Sequence, residues 1–214
     1  MPRALNKSGD RLVGAPSNLV ADSLLDFWTW GFSDLCDDDV KGIFAEWLVH
    51  RLLGIRTERR VSWANSDVIA PNGARIEIKS TSYWQSWKLV EENGKERDRP
   101  THPIQDDAKI RFNGLKAKDS TGTRTDSHGK DFKSHIYVFA LQKEKDPQRW
   151  NAMDLSQWEF YAFPVEELRE FASDSVSLMK LRERQRPMSA ADLAAHGREL
   201  IGKHHVQRSP HGKE

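Results

Sequence analysis

Apolar residues recur along this chain at two spacings, and the spacing changes mark the elements. Val20, Leu24, Leu25 and Trp28 fall at helical intervals behind Ser17, which predicts a capped helix over about residues 18–31. A second helix is predicted to run to Leu53 and stop at Gly54, with Ile43, Phe44, Trp47, Leu48 and Leu52 as its core-facing stripe. Asp37-Asp38-Asp39 ahead of it reads as an acidic first turn opposing the helix dipole rather than as a metal cluster. Strand-like runs follow at Thr57–Ser62, at 68–70 and at 74–85, with a short one at Ile110–Phe112 and long ones at Ser134–Gln142 and Trp158–Phe163. Pro164 is placed to start a helix through about Ala172, and Leu178–Leu181 and Ala190–Ile201 also read as helical. Residues 88–133 are mostly polar and read as a long insertion in a single domain over 17–202. Residues 1–16 read as a flexible arm and 203–214 as a polar tail.

The pattern is most informative over DVIAPNGARIEIK, residues 67–79. Ala70-Pro71-Asn72-Gly73 suits a type I turn whose glycine takes a positive φ, closing a three-residue hairpin loop on a bulge. That register puts Ile69 opposite Arg75, Val68 opposite Ile76 and Asp67 opposite Glu77. A two-residue Asn72-Gly73 turn would pair Val68 with Glu77 and send Asp67 to the other face. The first register is preferred because Val68, Ala70, Ala74, Ile76 and Ile78 then form one apolar face. Arg75, Glu77 and Lys79 share the opposite face.

Two carboxylates and a lysine on adjacent strands offer hard oxygen ligands, which suit Mg2+ or Mn2+. Here the sequence resembles the PD-(D/E)XK nuclease superfamily, the fold of restriction endonucleases. Asp67 matches the motif aspartate, Glu77-Ile78-Lys79 the E-x-K, and Glu46 in GIFAEWLVHRLLG the glutamate that many members carry on the preceding helix. The runs WGFSDL, RIEIKSTSYWQSW, HIYVFAL and LSQWEFYAFPVEEL extend the resemblance, to an uncharacterised bacterial branch, over most of residues 28–170. Ser66 departs from the proline of the motif name. The resemblance implies an α/β fold with a mixed central sheet flanked by helices. It implies a nuclease acting on DNA, in restriction, defence or repair. Asp67, Glu77 and the Ile78 carbonyl would hold Mg2+ or Mn2+, with Glu46 reaching the ion through a water. Lys79 would orient the attacking water and stabilise developing charge, and Gln85 would position substrate or Lys79. A homodimer is left open. The main alternative is a protein that keeps the fold for nucleic-acid binding or protein interaction without catalysis.

Composition constrains this picture little. Lys and Arg number 33 against 32 Asp and Glu, so no overall basicity advertises a nucleic-acid partner, although one face can still be positive. Cys36 is the only cysteine, which excludes an intramolecular disulfide. The absence of a signal-peptide core and of a membrane-length apolar run leads to the expectation of a cytoplasmic protein. Of the eight tryptophans, Trp28, Trp47 and Trp158 are expected in the core by spacing, leaving Trp84 or Trp87 to touch a substrate. His135 reads as structural, and Ser80, Thr81 and Ser82 have no evident histidine–acid partners.

Overall fold

The computed structural model describes residues 7–11, 23–57, 60, 66–84, 104, 106–117 and 129–204. Its centre is a four-stranded sheet in the order β1 (Val68–Ile69), β2 (Arg75–Ser82), β4 (Ile136–Gln142), β5 (Trp158–Pro164). β1 and β2 are antiparallel, β2 and β4 parallel, and β4 and β5 antiparallel. The sheet is therefore mixed, and helices flank it. No helix among the described residues is long and apolar enough to cross a membrane.

β4 reads as a continuous apolar run because both of its faces are covered; all seven residues are buried. On one face Ile76, Ile78, Ile136, Val138, Ala140, Phe160 and Ala162 form a core with α2 (Asp38–Leu52) and α5 (Ala190–Lys203). Tyr137, Phe139, Leu141, Tyr161 and Phe163 point the other way into a second core. That core is closed by β3 (Arg111–Asn113), α3 (Val165–Phe171), β6 (Ser175–Ser177) and α4 (Leu178–Arg184). β3 and β6 pair antiparallel as a separate ribbon, Phe112 against Val176, and the Phe112 ring meets Phe139 edge-on at 5.2 Å.

The structure corrects some of these expectations and bears out others. The polar insertion holds the short strand expected at Ile110–Phe112, found as β3, and around it a folded cover that was not expected: Leu115 and Phe132 are buried with Ile110 and Phe112, because few but large apolar residues suffice when they meet a sheet face. The first helix, α1 (Leu24–Phe32), begins later than expected, capped by Ser23 and Asp26 in a reciprocal box, and Gly31 lies inside it. It buries no side chain, and Trp28 is exposed. The cap expected at Ser17 lies outside the described residues. α2 is rolled relative to the predicted stripe. Val40, Ala45, Leu48 and Val49 face the core, since small Ala45 and Val49 let the helix approach the sheet, while Ile43 and Trp47 turn outward. Asp37 caps α2 by accepting from the Asp39 and Val40 amides, so the acidic run serves the helix start. Of the expected strand at 57–62, only Thr57 and Arg60 are described, and neither lies in a strand. Pro164 ends β5 as the residue before α3, one position earlier than expected.

Candidate active site

The site begins with the hairpin. Gly73 adopts φ +86° and its amide donates to the Ala70 carbonyl at 2.8 Å, while the Ala70 amide donates to the Ala74 carbonyl at 2.9 Å. Asn72 fixes the loop from within and without. Its Oδ1 accepts from the Ala74 amide, and its Nδ2 donates to the Ile201 carbonyl at 2.7 Å at the end of α5. Val68 then pairs with Ile76 and Ile69 with Arg75, the preferred register.

Asp67 lies one residue before β1, where continuing the register would set it opposite Glu77, and the Glu77 charge is felt at its carboxyl. Hydrogen-bonded and non-bonded pairs alternate along antiparallel strands. Ala70/Ala74 is a bonded pair, so Val68/Ile76 is bonded as well. The backbone of Ile78 consequently faces the β1 edge. Its amide donates to Asp67 Oδ2 at 2.7 Å, and its carbonyl points toward the same edge.

Lys79, two residues past Glu77 on the same face, places Nζ 2.8 Å from Glu77 Oε1. Ser134 donates to Glu77 Oε2 at 3.4 Å. Asp67 is partly buried, and burial first, then the Glu77 charge, push its carboxyl up to about 7. The Ile78 amide and Lys79 pull the other way, and Glu46 adds to the rise. The sequence-predicted Asp67, Glu77, Ile78, Lys79 and Glu46 thus belong to one electrostatic neighbourhood. Gln85 lies outside the described residues.

Glu46 approaches from α2 but is held by Arg60, whose Nη2 donates to Oε1 at 2.8 Å and whose Nε donates to Oε2. Arg60 was not anticipated from the sequence. Neither was His50, whose Nε2 lies 3.2 Å from the Asp67 carbonyl oxygen. His50 stands one helical turn beyond Glu46, so the signal was there: Glu46 and His50 share one face of α2 with Ile43 and Trp47, the two of them that were expected in the core, and together they line a cleft. His135 proves structural. Its Nδ1 accepts from the Arg75 amide at 3.0 Å, its own amide donates to the Arg75 carbonyl, and its ring stacks on His204.

Asp67 and Glu77 fit a hard divalent ion by donor chemistry, both offering carboxylate oxygens. The raised Asp67 carboxyl marks a place where added positive charge is favourable. Among the described residues no group of three or more His, Cys, Asp and Glu is arranged to hold a metal ion. An ion would therefore rest on Asp67, Glu77 and the Ile78 carbonyl, with its other positions left to water and substrate, the usual habit of Mg2+. Comparisons with protein-family models, with curated proteins and with solved structures gave no match.

Proposed function

We propose that the chain is a metal-dependent phosphodiesterase, a nuclease acting on DNA, with its centre at Asp67, Glu77 and Lys79. The observation that carries this reading is the hairpin register, which sets two carboxylates face to face with a lysine two residues along the same strand. A bound Mg2+ or Mn2+ would supply Lewis-acid stabilisation of charge building on the phosphoryl oxygens. Asp67 and Glu77 contribute the negative charge that retains the ion, and the Ile78 amide fixes the Asp67 carboxylate in one orientation. Lys79 carries a positive charge at the same place, suited to orienting a water in line with the leaving oxygen and to stabilising the phosphorane. Glu77 and Ser134 hold that lysine and its partner in position before substrate arrives.

The ion pair that Arg60 makes with Glu46 favours a second reading, in which the fold binds nucleic acid without cutting it. One assay separates the two. Purified protein is incubated with Mg2+ or Mn2+ and plasmid, linear and single-stranded DNA, and RNA. Cleavage of DNA that stops on adding chelator is expected. Binding with no cleavage in either metal gives the second reading.

A further inference from the structure

α2 presents an aromatic surface that its sequence pattern assigns to the core. Trp47 is 47% exposed and Ile43 40%. With Glu46, His50, Arg51, Thr57 and Arg60 they line an open cleft of about 310 Å³. Leaving an indole half in water forgoes the burial that places most tryptophans inside. The cleft also has the polarity of a ligand site: Arg51 holds its guanidinium 5.7 Å from the Trp47 ring centroid, and Arg60 sits over the Glu46 carboxylate.

The cleft adjoins the candidate centre through α2. His50 lines it and contacts the Asp67 carbonyl, and Glu46, which also lines it, is near enough for its charge to be felt at Asp67. A strand bound at Asp67 therefore has the cleft beside it, on the α2 side.

Resting on the nuclease reading, we propose that this cleft is a base-binding subsite in which Trp47 stacks on one unpaired nucleobase, Arg51 and Arg60 meeting the adjoining phosphates. Charge and size both select this occupant. Two arginines against one glutamate favour an anionic strand, and the volume matches a small ligand rather than a protein segment or a duplex. A paired base has both faces covered by its neighbours in the stack, so only a base that is single-stranded, bulged or flipped can offer a face to the indole. The Glu46 carboxylate and the Thr57 hydroxyl can accept from an exocyclic amino group, a secondary preference for cytosine or adenine. The substrate class deduced is DNA with an unpaired base beside the scissile phosphate.

The test uses the full chain in chelator, so that binding is read without cleavage. Three labelled duplexes are compared by fluorescence anisotropy: fully paired, carrying one unpaired adenine, and carrying an abasic residue in its place. The wild-type protein is expected to bind the unpaired adenine about tenfold more tightly than either control. Trp47→Leu, which keeps an apolar contact with Phe44, should bring that preference to within about twofold, and Trp47→Phe should keep most of it. A 2-aminopurine at the unpaired position should lose emission on binding wild-type protein, a readout that needs no variant. The subsite is overturned if DNA binds without preference for the unpaired base, if Trp47→Leu retains the preference, or if 2-aminopurine brightens. Cleavage of the same duplexes in Mn2+ is scored separately. Preference without cleavage removes the nuclease reading and leaves the subsite; cleavage without preference does the reverse. Absence of DNA binding removes the subsite, and absence of cleavage in Mn2+ as well removes both.

Discussion

At the scale of the residue, Asp67 is the side chain whose ionisation the fold resists most usefully. A free aspartate ionises near 3.9, whereas burial and the Glu77 charge raise Asp67 to about 7. Between those values the unfolded chain has released the proton and the folded chain still holds it. Stability of the metal-free protein therefore falls as pH rises from about 4 to about 7, and the loss is complete above that. Asp67→Asn keeps an oxygen for the Ile78 amide and removes the charge. The variant should exceed the wild type by about 1–3 kcal/mol in urea unfolding at pH 8, and the two should converge near pH 4. Saturating Mg2+ or Mn2+ should narrow the gap at pH 8 by stabilising the wild type alone, and an unchanged gap would argue against an ion at Asp67. Lys79 divides the labour differently, since it supplies no ligand. Lys79→Ala should keep calorimetric metal binding, or tighten it slightly, while the cleavage rate falls by about 10²-fold or more. Glu77→Gln should lose both. A Lys79→Ala protein that cuts at the wild-type rate would refute the proposed mechanism.

At the scale of the element, the hairpin is what turns separate residues into a site. Its register depends on Gly73, which sits at φ +86° where a Cβ is strained. Gly73→Ala should cost about 1–2 kcal/mol by denaturant unfolding, and it should weaken metal binding, because a one-residue slip sends Asp67 to the opposite face. Loss of stability with metal affinity intact would show that Asp67 and Glu77 are positioned by something other than the turn. This element was legible in the sequence because turn chemistry and two-residue alternation pointed to one register. β4 and β5 were legible for a similar reason, as apolar runs too long and too β-branched or aromatic to be loops. α2 shows where such reading fails. Its residues are apolar on both sides, so spacing alone could not tell the core-facing Val40, Ala45 and Val49 from the outward Ile43 and Trp47. The choice was made by how closely the helix approaches the sheet, a property of the partner surface. Arg60 was illegible for a different reason: its role depends on a contact 14 residues away in sequence with no periodic signature.

At the scale of the whole molecule, the sheet is a shared wall between two cores, and the site stands at its β1 end. Glu77 and Lys79 rise from the face that β3 and β6 help to cover, while Glu46 and His50 reach in from the helix on the other face. The two layers must then be one cooperative structure if the site is to hold its shape. The cover is tied down by more than apolar contact. Arg182 on α4 bonds Asp107 Oδ2 at 2.5 Å and Glu159 Oε2 at 3.0 Å, and Tyr83, the residue after β2, donates to Asp107 Oδ1 at 2.7 Å, joining the segment before β3 to the end of β2, to β5 and to α4. Phe112 is the test of this integration, since it is 1% exposed and comes from a short strand set inside a mostly polar stretch. Phe112→Ala removes a ring packed on Phe139 and leaves a cavity between ribbon and sheet, at an expected cost of about 3–5 kcal/mol. Urea unfolding should show a shifted midpoint with an unchanged slope and a single transition by both fluorescence and circular dichroism. Trp30→Ala, at an 86% exposed position on α1, should stay within about 0.5 kcal/mol of wild type in the same experiment. If Phe112→Ala were as mild as Trp30→Ala, or if it produced an early transition that left the rest folded, the β3 segment would be an appendage. The second face of the sheet, with Glu77 and Lys79 on it, would then owe its order to α3, α4 and β5 alone.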